Sequence, residues 1–274
     1  MGAELRAVGA ILRRDFRLLC RHPLNFVNLI LLPLYQFLIP SLLLGAAFLV
    51  NGRSVGLART AGTDDIAGFL FVGAAASSLG FGIFWGVTWA IKREVDTGTL
   101  EQAWLTPTSR ETLVLGSALT SLAVSSVAGI VLFAMGGIIF GAHYSARIAL
   151  GVPALLLLLV SLIGIAFLVA AAVLRVRQPN FLIDTTSYLF VVTSGVLFPI
   201  AVLPAFLKFA AFALPTTYGL DLLRAGALGT SPLLPVVWEY AALGVIAAGL
   251  VAIGRWTFLR TERRLRVQGS LGSY

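Results

Sequence analysis

Apolar residues run along this chain in long blocks separated by short polar intervals. Crossing the hydrocarbon of a bilayer takes about twenty consecutive apolar residues, and six blocks reach that length: roughly 24–50, 67–91, 112–140, 148–174, 181–203 and 235–258. Pro33 and Pro40 predict a bend in the first block. Gly82 and Gly86 form a GxxxG in the second, and Gly137 and Gly141 another at the end of the third. Such pairs let helix backbones approach closely. A dimer contact is one use of them, although glycine is common in membrane helices in any case.

The polar intervals have patterns of their own. Between residues 4 and 22, Leu5, Val8, Leu12, Phe16 and Leu19 recur at spacings of three and four, with Arg13, Arg14, Arg17 and Arg21 on the other side. That is an amphipathic helix lying in the membrane interface, which His22-Pro23 ends. Its long basic region and the lack of a small-residue cleavage site argue against a signal peptide. Residues 92–116, KREVDTGTLEQAWLTPTSRETLVLG, carry Lys92, Arg93, Glu94, Asp96, Glu101, Arg110 and Glu111. Thr97-Gly98-Thr99 breaks the preceding helix. Leu100, Ala103, Trp104 and Leu105 then predict a short amphipathic helix, which Thr106-Pro107 stops, and Ser109 caps the next element. Two turns span nothing, so this helix is expected to dock, on the membrane surface or on a partner protein. The interval 195–234 is apolar but broken by Pro199, Pro204, Pro215 and Pro232. Phe206, Phe209 and Phe212 predict one short helix with Lys208 on its other side; Leu220, Leu223 and Arg224 suggest a second. Both are expected to dip back into the outer leaflet and cap the bundle.

Composition agrees with a bilayer: 58% of residues are hydrophobic and 12% charged, against about 25% charged in soluble domains. No polar interval is long enough to bury a core of its own. The single cysteine, Cys20, excludes an intrachain disulfide. The net charge of +8 could suggest nucleic acid, but the distribution of Lys and Arg explains it. With the N-terminus inside, fifteen of the 20 Lys and Arg fall on the cytoplasmic side, among them Arg175, Arg177, Arg255, Arg260, Arg263, Arg264 and Arg266. Arg53, Arg59, Arg147, Lys208 and Arg224 fall outside. This bias predicts both termini inside.

Several chemistries are missing. Lys92 is followed by Arg93 and Lys208 by Phe209, so the chain has no Gly-Lys-Ser/Thr phosphate loop and no nucleotide site of that kind. His22 and His143 are expected on opposite sides, which predicts no metal site. No nucleophile–base pair stands out. Asp184 and Glu239 are the acidic residues within the predicted spans. They are functional candidates by position, but each can equally reach an interface or a neighbouring Arg, and two acids at opposite ends supply no proton path.

Two stretches carry a family resemblance. GTLEQAWLTPTSRETLVLG resembles the cytoplasmic loop of ABC type-2 exporter permeases, through Glu94, Gly98, Thr99, Leu100, Glu101, Thr106, Pro107 and Ser109. SGVLFPIAVLPAFLKFAAFALPTTYGLDLLR resembles the family's outer segment, through Phe198, Pro199, Leu203, Pro204, Pro215, Thr216, Tyr218 and Arg224, with Leu214 where the family often has Asn. The resemblance implies an all-α polytopic membrane protein. Residues 1–23 would be the interfacial helix, 24–258 a six-span domain with a coupling loop at 92–111 and an outer re-entrant segment at 199–230, and 259–274 a basic cytoplasmic tail.

It further implies a permease in the cell membrane that pairs with a second copy or close homologue. Separate ABC ATPase subunits, in two copies, would bind ATP and Mg and drive it through the coupling helix. In that scheme Glu94 and Glu101 pair with basic residues on the ATPase, while Trp104 and Leu105 fill a groove in it. Phe81, Phe84, Trp85, Trp89, Tyr188 and Phe190 are candidates for an aromatic substrate path, suited to amphipathic drugs, lipids or lipid-linked glycans; they could equally be packing or lipid-facing residues. The alternatives are a secondary carrier or channel, disfavoured by the few intramembrane acids, and a membrane enzyme acting on lipid, disfavoured by the lack of a His or acid cluster.

Overall fold

The computed structural model describes residues 2–21, 23–39, 41–43, 54–98, 109–176 and 179–268. Thr99, Leu100, Glu101, Trp104, Leu105, Thr106 and Pro107 of the predicted docking helix lie outside the described residues, as do Arg177 and the last part of the first apolar block. The described residues contain helices and no strand. In chain order the helices are α1 (Gly2–Arg21), α2 (Pro23–Pro33), α3 (Val55–Ala61), α4 (Ile66–Asp96), α5 (Arg110–Ile138), α6 (Val152–Val173), α7 (Pro179–Thr193), α8 (Ala205–Phe212), α9 (Pro215–Leu228) and α10 (Val236–Gln268). Short 3-10 turns precede α6 (Ala146–Gly151) and α8 (Ile200–Val202).

Four helical stretches among the described residues are long and apolar enough to cross a membrane: Ile66–Asp96, Arg110–Ile138, Arg147–Val173 and Val236–Leu265. They correspond to the second, third, fourth and sixth apolar blocks. Of the other two blocks, the first departs from a regular α-helix after Pro33, where a bend is expected, and the fifth gives a shorter helix than expected. In the first, α2 ends at Pro33 and passes into a π turn, Leu34–Leu38. A proline cannot supply the amide that regular i→i−4 bonding needs, and a π turn is one way to absorb the mismatch. In the fifth, α7 has 15 residues, about 22 Å of helix. It ends in a turn at Ser194-Gly195, where Gly195 takes a φ of 75°. The chain then bends through residues 196–198 to Pro199, so the helix does not run on to residue 203.

Helix ends follow local chemistry. The Asp65 carboxylate caps α4 by accepting from Gly68 N (2.7 Å) and also accepts from His143 N (2.8 Å), tying the α5–α6 connection to the start of α4. At its far end α4 runs past the apolar block to Asp96. It stops where Gly98 adopts a φ of 67° and its amide bonds Val95 O. Ser109 caps α5, its Oγ accepting from Thr112 N at 3.3 Å.

α4 is the central rod. Of its most apolar window 83% is buried, against 17% for α10, whose Val237, Trp238, Val245, Ile253 and Trp256 face outward. Small residues make that centrality possible. A Cβ on Gly82 would stand 1.6 Å from Ser125 Oγ, and one on Gly86 2.1 Å from Ser121 Oγ. This GxxxG therefore seats α5 against α4 within the chain. The second GxxxG is not a packing pair. Gly141 ends the α5 region at φ 68° with open space around it, and the close approach to Phe71 and Tyr144 is made by Gly136. α6 and α10 meet through Gly164 and Gly254, where a Cβ on Gly254 would lie 2.3 Å from Gly164 O. Around these contacts Ile83, Val87, Ala118, Leu158, Leu162 and Phe258 form the main core.

Candidate functional site at the loop end and the cap

The end of the bundle that carries residues 99–108 is where α4 stops, α5 starts, and both terminal helices converge. α1 lies along the start of α5. Ile11 is buried against Gly116, where an added Cβ would come within 2.7 Å of it. Glu4 accepts from Ser109 N (3.4 Å), Ser109 Oγ (3.3 Å) and, in a short bond, Thr112 Oγ1. The Thr112 bond and then the Ser109 bonds hold the Glu4 carboxyl below the usual carboxylate range, against a smaller opposing effect of burial. One turn further along α1, Arg14 Nη1 donates to Glu94 Oε1 at 3.3 Å, and Asp15 pairs with Arg14 (3.0 Å) and Arg93 (3.5 Å). Burial works to lower Arg14, but Asp15 and Glu94 outweigh it and hold the guanidinium above its ordinary value.

α10 grips the same place from the opposite side. Arg110 Nη1 donates to Glu262 Oε1 at 2.7 Å, and Arg255 forks onto Glu111 at 2.8 and 3.2 Å. The Arg110–Glu262 pair is largely buried, whereas an exposed pair such as Arg255–Glu111 contributes little, about 0–1 kcal/mol. Their number and placement matter more: residues 93–94 before the loop and 109–112 after it are fastened to helices from both ends of the chain. Of the residues expected to couple to an ATPase, the structure thus places Glu94 against this chain's own Arg14. Gly98 forms the helix stop and Ser109 the next cap.

The opposite end is closed by α8, α9 and the 194–203 turn. Arg224 is its centre and was expected only as the last residue of a gate segment. Only 5% exposed, it sends Nη1 to Gly195 O (2.7 Å), Nη2 to Val196 O (2.8 Å) and Phe69 O (2.9 Å), and Nε to Phe69 O (3.3 Å). The guanidinium lies 3.4 Å from the centre of the Phe69 ring, a cation–π stack. Gly73 leaves room for it, since a Cβ there would stand 2.5 Å from Val196 O and 2.8 Å from Nη2. Thr216 donates to Ser194 Oγ (2.8 Å), Thr217 to Ala211 O (2.6 Å) and Tyr218 to Phe212 O (3.0 Å). Pro215 starts α9 at a position where no amide is needed. Leu203 is buried with Ile200 and Ala211. Phe198, Phe206 and Phe209 are exposed on the cap surface, and Pro199 and Pro204 flank the 3-10 turn between them.

The six aromatic residues proposed to line a path separate into two groups. Phe81, Phe84 and Phe190 are buried between α4 and α7, with Phe84 edge-on to Phe190 at 5.4 Å. Within this chain these three serve as packing residues. Trp85 stacks on Trp89 at 6.4 Å, and Trp89 (57% exposed) and Tyr188 face out of the bundle. Lys92 bonds Asn180 at 3.4 Å beside Trp89. Asp184 begins no buried network: its side chain is half-exposed on α7. Glu239, at the cap end of α10, is wholly buried. Arg224, Gly73, Gly164 and Gly254 were not singled out for these contacts by sequence. An Arg in an apolar helix and glycines at equivalent depths were the available signals.

No group of His, Cys, Asp and Glu suited to a metal ion occurs among the described residues. A comparison with curated proteins gave no match. The family model for the ABC-2 type transporter matches residues 6–228. That range takes in α1, the loop bases and the cap through the end of α9, so the chain is an integral membrane protein that belongs to the ABC-2 type transporter family.

Proposed function

We propose that this chain is the transmembrane permease subunit of an ABC exporter. It would move an amphipathic substrate outward with energy from ATP hydrolysed on a separate subunit. Permeases of the family work with ABC ATPase subunits, and the fastening of both bases of the 99–108 loop supports this reading best. A loop whose two stems are held by α1 and α10 transmits a push at its tip to the spans instead of bending.

In this scheme two ATPase subunits, carrying ATP and Mg, dock on Thr99, Leu100, Glu101, Trp104, Leu105, Thr106 and Pro107. Two permease halves, identical or homologous, enclose the path. The protein sits in the cell membrane with α1 and the end of α10 cytoplasmic, and the Arg224 cap lies at the outer face. An amphipathic drug or a lipid is the preferred cargo. Trp89 and Tyr188, the exposed members of the aromatic set, and the partly buried Trp85 are the candidates to meet it.

The test is reconstitution in liposomes with the ABC ATPase that co-purifies with the chain. The native pair is expected to hydrolyse ATP and extrude a fluorescent amphiphile. Glu101→Arg combined with Trp104→Ala should lose assembly or couple poorly. A native chain that binds no ATPase and moves the amphiphile equally without ATP would return the reading to a secondary carrier.

A further inference from the structure

Two carboxyl groups lie close to Arg224 in the cap. Asp221, one turn before Arg224 on α9, accepts from Leu233 N at 2.8 Å, and Glu239 on α10 accepts from the next amide, Leu234 N, at 2.8 Å. Two consecutive backbone amides therefore draw the two carboxyl groups together, and they lie against each other. Glu239 is 0% exposed. Its second oxygen, Oε2, is buried and accepts from no N–H or O–H among the described residues. An ionised carboxylate left this way is costly to bury.

The surroundings supply one positive charge for the two acids. Arg224 faces Asp221 through space, while four of its five N–H groups are directed to the carbonyls of Phe69, Gly195 and Val196. The other titratable groups that face Glu239 are neutral phenols, Tyr218 from α9 and Tyr240 from α10 itself. α6 contributes Ala154 and Leu157 to this junction, both apolar. A small cavity adjoins Asp221 and Arg224, of about 30 Å³. It is walled by Thr60 and Ala61 of α3, by Thr217 and by Thr230. Thr230 is 6% exposed, and its buried hydroxyl has no partner among the described residues. The space admits one water-sized group, far too little for a transported amphiphile.

We propose that Asp221 and Glu239 form a proton-binding site that holds a single proton between them and thereby fastens the cap to α10. With the proton in place, one carboxyl donates to the other. The remaining negative charge is balanced by Arg224, and both Leu233 and Leu234 amides stay satisfied. Without it, the buried Glu239 and the half-buried Asp221 place two negative charges beside one guanidinium, and the α9–α10 junction is pushed apart. The proton is bound when folded and released by the unfolded chain near neutral pH, so the folded state binds more protons and its stability must fall as pH rises.

The experiment uses the full chain in lipid nanodiscs. Infrared spectra in the protonated-carboxyl C=O region and melting midpoints are recorded from about pH 5 to about pH 9. The native chain is expected to show a protonated carboxyl at neutral pH that titrates away toward the alkaline end, with the midpoint falling alongside it. Glu239→Gln, and separately Asp221→Asn, replace the shared proton with a permanent amide donor. Each should abolish that band at neutral pH and flatten the fall in midpoint. If one variant does not fold, the other gives the same reading. A native chain without the band at neutral pH, or a band and slope that persist in the folded variants, overturns the proposal. Both readouts are independent of ATP, so they separate this site from the exporter assignment.

Discussion

Replacing Arg224 is the sharpest probe of the cap. In Arg224→Met the apolar stem is kept and the guanidinium removed. Phe69 O sits inside the first turns of α4 and keeps its place in the helix, but Gly195 O and Val196 O lose the donors seen at 2.7 and 2.8 Å. A buried polar group deprived of its partner costs about 1–3 kcal/mol, so two carbonyls lose about 2–6 kcal/mol together. Two effects oppose each other beyond that. Burying the guanidinium was itself expensive, and its removal returns part of that cost. Its removal also leaves Asp221 without its balancing charge. The expected net result is a loss within that range, measured as the shift in unfolding midpoint of the purified chain in detergent. Arg224→Lys should recover only part of it, because a point ammonium cannot bond three carbonyls in a plane while lying flat on Phe69. If Arg224→Met melts with the native protein, the fork of hydrogen bonds does not hold the cap and the reasoning fails.

Two further outcomes are expected. Gly82→Ala should destabilise by about 1–3 kcal/mol through overpacking; adding Ser125→Ala should recover part of this, since the clash at 1.6 Å is removed while Ser125 Cβ at 2.7 Å remains. A thermal melt with no change in the single variant would contradict the α4–α5 approach. Glu4, held below its ordinary value of 4.5 by its bonds to Thr112 and Ser109, should clamp α1 above that pH and release it as pH falls through the depressed value. Limited proteolysis of α1 across that range should show the transition in the native chain and not in Glu4→Gln, which is already released at neutral pH; equal protection of the two at neutral pH would exclude the clamp.

Much of this architecture was legible in the residue pattern. The long apolar blocks around Phe69–Ile91 and Thr112–Phe140 became helices, and the Gly98 stop and Ser109 cap fell where local chemistry put them. Both signals are local, a run of apolar residues or a side chain within three positions of an amide. The fifth block misled because hydropathy counts residues and ignores φ: Ser194 and Gly195 are as tolerable in an apolar run as any, yet a left-handed Gly195 ends α7. The role of Gly82 and Gly86 within the chain was hidden because GxxxG says that something comes close without saying what. The aromatic set divides for a related reason. Phe84 and Trp89 are alike in composition, but helical phase buries one and exposes the other. Arg224 and Glu239 were visible as candidates, but the bonds of Arg224 to Phe69, Gly195 and Val196 and the pairing of Asp221 with Glu239 were not, since they join residues on different elements.

The length of α10 has a mechanical consequence. Glu239 near one end and Glu262 near the other are carried by a single unbroken helix, about 35 Å apart at the rise of an α-helix. Over that distance a pivot of about 5° carries the far end through about 3 Å, roughly the length of one hydrogen bond. α10 packs along α6, most closely where Gly254 meets Gly164, so such a pivot turns about that contact. A small shift where Glu262 meets Arg110 is then large enough, by the time it reaches Glu239, to make or break the bond with Leu234.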